Sequence, residues 1–142
     1  MKHWEEFINT GIVKKQAPNK ARALSLIEEA GKKKEFLHVS LESIPPAKMN
    51  ANFVVDYGYD IMMELIRAKM FLDGFNAGNS HEAEVSYLRK LNFPEASVQF
   101  LNEMRYYRNG TKYYGTILPQ EYAQRVLEFT NKLYPQLKEL FK

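Results

Sequence analysis

The residues best suited to chemistry lie in the stretch RYYRNGTKYYG, which begins at Arg105. Arg105 and Arg108 are three residues apart, a spacing that puts both side chains on one face of a helix. A guanidinium is a planar, permanently charged fork that suits phosphate, and a tyrosine ring can stack on a base or donate its hydroxyl. Together with Asn109, Tyr113 and Tyr114, the two arginines predict a site that binds phosphate or RNA.

A helix has to carry the two arginines, and the sequence predicts one that begins at Pro94 and stops at Gly110. Asn109 and the tyrosine pair would then lie in a short loop. The apolar side of this helix consists of Val98, Leu101 and Met104. Arg105 and Arg108 continue that core-facing side. They either face a binding cleft, pair with an acidic neighbour, or cap the helix C-terminus, where the helix dipole favours cations.

Three carboxylates at a spacing of four residues form a column on the preceding long helix: Asp56, Asp60 and Glu64. The sequence alone favours a solvated face with an ion pair between Glu64 and Arg67. In the sharper alternative, one carboxylate of the column orients an arginine of the neighbouring helix. No regular metal-ligand spacing links these carboxylates to the histidines, so we expect neither a metal ion nor a cofactor.

Apolar periodicity predicts an all-α, up-and-down bundle of five to six helices in a single domain that spans residues 1–142, without a sheet. The helices are expected at about 4–12, 18–43, 48–73, 79–91, 94–108 and 119–140. The third is apolar over most of its circumference, so it forms either the centre of the bundle or a subunit interface. Asn79 and Glu82 have the spacing of a capping box, and Pro135 predicts a kink in the last helix.

Composition limits the classes of function. A net charge of +3 permits a nucleic-acid partner without requiring one, and the cluster Lys32-Lys33-Lys34 favours a solvated face. With no cysteine, disulfides and thiolate chemistry are excluded. The most apolar segment, Phe53 to Phe75, carries too many charges for a bilayer, so we expect a buried helix and no membrane partner. The absence of cysteine suits a reducing compartment, so we expect a cytoplasmic protein. The sequence contains no glycine-rich phosphate loop and no nucleophile elbow, which argues against P-loop enzymes and ordinary hydrolases.

The order of the helices, taken with Arg108 and Asn109, resembles HEPN-domain proteins, small helical bundles named for nucleotide binding in higher eukaryotes and prokaryotes. The likeness covers most of the chain, including the segments Pro18–Leu24, Gly74-Phe75, Ser80–Ala83 and Tyr87-Leu88. The signature of the family is an arginine, often followed by asparagine, and a histidine after four to six intervening residues. The corresponding positions after Arg108 hold Tyr113, Tyr114 and Gly115, so the histidine is missing.

The resemblance implies two kinds of activity. In active family members two such motifs meet across a homodimer and cleave RNA without metal, with histidine for proton transfer and arginine for phosphate. Other members pair with a small nucleotidyltransferase as toxin and antitoxin. Tyrosine is a poor general base at neutral pH, so Tyr113 in place of histidine weakens the case for catalysis.

Three hypotheses follow from the sequence. The first is a HEPN-like, homodimeric module that binds RNA, a nucleotide or a nucleotidyltransferase partner, without efficient catalysis. The second is a metal-independent endoribonuclease that uses Arg108 with Tyr113, or with the remote His81, in a dimeric cleft. The third is a purely structural dimerisation bundle, in which both arginines are consumed by the carboxylate column and no cleft lies beside them.

Overall fold

Six α-helices account for most of the chain in the computed structural model, which describes residues 1–142. In chain order they are α1 (Trp4–Asn9), α2 (Lys20–Ser43), α3 (Ala51–Asp73), α4 (His81–Lys90), α5 (Glu95–Tyr114) and α6 (Gln120–Glu139). A single 3₁₀ turn, Pro46–Lys48, joins α2 to α3. This architecture confirms the predicted all-α helical bundle. None of the helices combines the length and apolar character needed to cross a bilayer.

Helix α3 forms the centre of the bundle. It contacts α2, α4, α5 and α6, and Asp73 is its only exposed residue. Its fully buried side chains include Ile61, Met62, Leu65 and Ile66, each of which stabilises the fold by about 1.5–3 kcal/mol through burial. The chain's own helices therefore cover the apolar circumference of α3. Of the two roles that the sequence left open, α3 fills the central one.

Helix ends follow local capping chemistry, with some differences from the predicted boundaries. Helix α1 ends at Asn9, before Gly11, whose φ of +77° interrupts the helix. Helix α4 is capped by Ser80, whose Oγ accepts a hydrogen bond from the Ala83 N–H at 3.2 Å. The predicted capping box from Asn79 is therefore wrong by one residue. Serine and asparagine are both good caps, so sequence spacing alone could not decide between them.

Helix α5 ends later than predicted, at Gly115 and not at Gly110. Gly115 has the left-handed φ of +67° that commonly ends a helix. A glycine inside a helix costs only about 1 kcal/mol relative to alanine, so Gly110 does not force an end. Gly110 instead leaves room for the returning chain, since a Cβ there would lie 3.2 Å from Thr116 Oγ1.

A short antiparallel strand pair corrects the prediction of no sheet. Strand β1 (Lys14–Lys15) pairs with β2 (Phe75–Asn76), so that Lys15 lies opposite Phe75. Two residues per strand are too few to show alternation in a sequence. Gly74, with φ of +84°, permits the backbone at Gln16 to approach closely, because a Cβ on Gly74 would lie 2.7 Å from the Gln16 carbonyl oxygen.

The spacing of apolar residues in the sequence predicts a stripe on one face of the last helix, made of Tyr122, Val126, Phe129, Leu133, Leu137 and Leu140. Tyr122, Val126, Leu133 and Leu137 of α6 are buried against the core. The helix begins directly after Pro119 and continues through Pro135 to Glu139.

Replacing each of two glycines in helix interiors by alanine should change the free energy of unfolding in opposite directions. A Cβ on Gly58 would lie 3.0 Å from both Thr130 Oγ1 and Val126 Cγ1, where α3 crosses α6. A Cβ on Gly31 of α2 meets only the Tyr134 hydroxyl, at 3.7 Å. Gly58→Ala should therefore lower the free energy of unfolding by about 1–2 kcal/mol, because overpacking outweighs the gain in helix propensity. Gly31→Ala should raise it by about 0.5–1 kcal/mol. Urea denaturation of both variants checks this, and stabilisation by Gly58→Ala would contradict the close crossing.

Candidate functional site

Arg108 is held by α3. Its Nη2 donates to Asp60 Oδ1 at 3.2 Å, and its Cζ lies 5.5 Å from the centre of the Tyr59 ring. Asp60 is therefore a carboxylate of the column that orients an arginine of α5. This is the second of the two alternatives that the sequence left open for the column. The positive charge of Arg108 is balanced inside the protein, which leaves little of it for an external phosphate.

The other two carboxylates of the column also have partners outside α3. The Thr111 hydroxyl lies 3.1 Å from Asp56 Oδ1 and secures the last turn of α5. Burial raises the pKa of Asp56, and the Thr111 hydrogen bond and the nearby Arg108 offset only part of that rise. Glu64 forms an ion pair with Lys33 of α2. The column is thus a set of contacts between helices and not the solvated face that the sequence favoured.

Lys33 was expected at the surface with its lysine neighbours, but it points inward. Burial lowers the pKa of the Lys33 ammonium, and the contact with Glu64 outweighs that effect and raises the pKa above its usual value. The second carboxylate oxygen of Glu64, Oε2, is buried without a hydrogen-bond partner. The pair therefore leaves one polar atom of the bundle interior unsatisfied.

Arg67 pairs with Glu84 of α4 and not with Glu64, contrary to the sequence interpretation. Its Nε and Nη2 donate to the two carboxylate oxygens of Glu84 at 2.5 and 2.9 Å, and His81 Nδ1 lies 3.2 Å from Oε1. Burial raises the pKa of Glu84, but the hydrogen bonds from His81 and Arg67 outweigh it, so the pKa lies below its ordinary value. Glu84 is therefore a buried, ionised carboxylate held by the Arg67 guanidinium and by His81.

Arg105 differs from Arg108, although the two lie on one side of α5. Its Nε donates to Asn102 Oδ1 at 3.0 Å, and it forms no ion pair. It is half-buried. Of the two arginines that the sequence singled out, Arg105 is the one whose charge is not neutralised by a carboxylate.

Three tyrosines of α5 form what we call the tyrosine surface: Tyr106, Tyr113 and Tyr114, with exposed fractions of 73%, 69% and 85%. All three lie in the last turns of α5, so Tyr113 and Tyr114 are helical and not in the predicted loop. A cavity of about 540 Å³ opens beside them. It is lined by Tyr106, Tyr107, Asn109, Gly110, Tyr114 and Thr116. The structure therefore brings Asn109 and Tyr114 to one cavity, whereas Arg105 and Arg108 do not line it.

His81 and Arg108 share a neighbour, the ring of Tyr59. The His81 ring centre lies 6.4 Å from that of Tyr59, the same ring over which Arg108 lies. Tyr59 is buried, and its hydroxyl has no hydrogen-bond partner. Burial raises the pKa of Tyr59. His81 is far from Arg108 in the sequence, so only the packing of α4 against α3 could reveal their common neighbour.

No group of three or more His, Cys, Asp or Glu side chains is arranged to hold a metal ion. Comparison of this chain with protein-family models, with curated proteins and with solved structures gives no match.

Replacing Glu84 by glutamine should destabilise the protein and change its response to acid. Glu84→Gln leaves the partly buried Arg67 without its counter-charge, so the free energy of unfolding at pH 7 should fall by about 1–3 kcal/mol. Because folding lowers the pKa of Glu84, its contribution is present above the ordinary value of 4.5 and is lost as the pH falls through the folded-state pKa. The wild type should therefore lose more stability on acidification than Glu84→Gln does.

Urea denaturation at a series of pH values down to pH 3 measures both effects. Glu35→Gln is the control, because Glu35 is exposed on α2 and forms no ion pair. It should change stability by less than about 0.5 kcal/mol. Parallel pH profiles for the wild type and Glu84→Gln would contradict the role assigned to Glu84.

Proposed function

We propose that this chain is a HEPN-like module that binds single-stranded RNA or nucleotides through the tyrosine surface of α5, without efficient catalysis. The observation that carries the proposal is the exposure of Tyr106, Tyr113 and Tyr114 beside a cavity. Exposed aromatic groups of this kind commonly mark an interaction site. A tyrosine ring stacks on any base, and each stacked base contributes about 1–3 kcal/mol to binding.

Cationic side chains near the tyrosine surface supply attraction for phosphate. Lys112 is exposed between the tyrosines, and Arg105 has no acidic partner. In this proposal these two residues contact or attract phosphate, while Arg108 holds α5 in place through Asp60. Asn109 lines the cavity and offers its amide to a base edge.

The purely structural alternative fits the geometry less well. It requires that both arginines be consumed by the carboxylate column and that no cleft lie beside them. Arg108 meets that requirement, but Arg105 has no carboxylate partner, and the cavity lies beside the tyrosine surface.

A homodimer and a small nucleotidyltransferase partner remain part of the proposal. Because α3 is enclosed by its own chain, a second copy would have to use another surface.

A metal-independent endoribonuclease is the second candidate. The observation that favours it is the approach of His81 and Arg108 to the same tyrosine, Tyr59. Histidine is the side chain best suited to proton transfer at neutral pH, and Arg108 would contact phosphate. Against this proposal, Tyr59 is buried, and His81 is engaged by Glu84.

Alanine at the tyrosine surface should weaken RNA binding. Tyr113→Ala combined with Tyr114→Ala should reduce affinity for a short single-stranded RNA by at least about tenfold, because two stacking faces are lost. The matched change to phenylalanine at both positions keeps the rings and should retain affinity within about threefold. Leu24→Ala, an exposed apolar residue of α2, serves as a control. Fluorescence anisotropy measures all four proteins, and equal binding by the alanine and wild-type proteins would refute the stacking proposal.

RNA cleavage in the presence of a chelator separates the two candidate functions. The binding proposal expects no cleavage above a buffer control. The nuclease proposal expects cleavage that falls by at least about 100-fold in Arg108→Ala and in His81→Ala. Gel electrophoresis of end-labelled RNA provides the measurement. Cleavage that survives both substitutions, and also survives Arg108→Ala combined with Tyr113→Phe, would exclude these residues as the catalytic groups.

A further inference from the structure

A second cavity lies at the opposite end of α3 from the tyrosine surface, between α3, α4 and the start of α2. Its volume is about 280 Å³, and two arginines, Arg22 and Arg67, line it. Arg22 forms no ion pair, and its side chain donates no hydrogen bond within the protein; its Cζ lies 5.0 Å from the centre of the Phe71 ring. A cation that is positioned over an aromatic ring and lacks a counter-charge is available to an external anion.

The charges around this cavity sum to a net positive value. Glu84 is the only carboxylate in the lining, and Arg67 neutralises it with two of its five N–H groups. The remaining N–H groups of Arg67 and the whole guanidinium of Arg22 have no carboxylate partner. His81 uses Nδ1 toward Glu84, which leaves its Nε2 without a hydrogen-bond partner.

The other walls of the cavity are of two kinds. Asn76 and Asn79 provide amide groups on one part, and the apolar wall consists of Met70, Phe71, Phe75 and Ala77. A small anion with several oxygens would satisfy the cations and amides, and an attached apolar group would pack against the aromatic rings. The volume lies at the small end of the range for ligand sites, so the ligand has to be compact.

We propose that this cavity binds a small phosphate monoester, with Arg22 and Arg67 on the phosphate oxygens, His81 Nε2 as an additional hydrogen-bond partner, and Phe71 against the organic group. A planar guanidinium fork matches two oxygens of a phosphate, and two forks with a histidine match an anion that has three terminal oxygens better than a carboxylate with two. The site is independent of the RNA surface on α5.

Amide NMR of the labelled protein tests the proposal with three probes: phenyl phosphate, inorganic phosphate and benzoate. Phenyl phosphate should give saturable shifts at the amides of Asn76, Gly78 and His81. Inorganic phosphate should bind more weakly, because it lacks the ring, and benzoate should bind more weakly because it lacks the third oxygen. Arg22→Gln should reduce phenyl phosphate affinity by at least about tenfold.

Lys20→Gln is the matched control, since Lys20 is an exposed cation near Arg22 on α2 and does not line the cavity. It should change affinity by less than about twofold. Because the Arg22 side chain has no hydrogen-bond or ion-pair partner within the protein and contacts Phe71 in the cavity wall, Arg22→Gln should keep the wild-type spectrum outside the cavity.

Several results would overturn the proposal. One is an equal loss of phenyl phosphate affinity in Arg22→Gln and Lys20→Gln, and another is benzoate binding as tight as that of phenyl phosphate. The others are amide shifts centred on α5, and a phenyl phosphate titration that does not saturate by about 10 mM. Tyr113→Ala should leave phenyl phosphate binding unchanged, so failure here and failure of the RNA proposal are separate outcomes.

Discussion

Three charged side chains of the central helix α3 have an opposite charge as partner, and each partner comes from a different neighbouring helix. The three pairs are Asp60–Arg108 with α5, Glu64–Lys33 with α2 and Arg67–Glu84 with α4. Apolar side chains tolerate several packings of similar volume, whereas an unpaired buried charge is strongly destabilising. We therefore infer that the pairs fix the rotation and axial position of the surrounding helices, while apolar burial supplies most of the stability.

This pairing divides the arginines into two groups with different availability to ligands. Arg67 and Arg108 hold helices together, and a carboxylate balances each charge, although Arg67 keeps further N–H groups at the wall of the second cavity. Arg22 and Arg105 have no acidic partner. Both are at cavity walls or near exposed aromatic side chains, where an external anion would meet a charge that folding has left unbalanced. The distinction depends on contacts between helices, so the residue type alone does not reveal it.

How well the sequence predicts each feature depends on how far apart along the chain the interacting residues lie. The apolar stripe of α6 and its start after Pro119 are local features; periodicity predicted the stripe and the proline predicted the start. The predicted end of α5 at Gly110 was wrong. The helix continues past it to a contact between Thr111 and Asp56, and these two residues are far apart in the sequence. For the same reason the sequence indicated the two arginines and the tyrosines of the candidate site but could not tell which arginine is neutralised.

The two proposed sites lie near opposite ends of α3, and the charge pairs occupy the length between them. Asp56 and Arg67 are roughly three turns apart, or about 16 Å at 1.5 Å per residue. A ligand at one end therefore cannot touch the other end, and any coupling would have to shift α3 relative to its neighbours. Such a shift would separate at least one buried pair, which is costly. The same pairs that position both sites thus favour their independence.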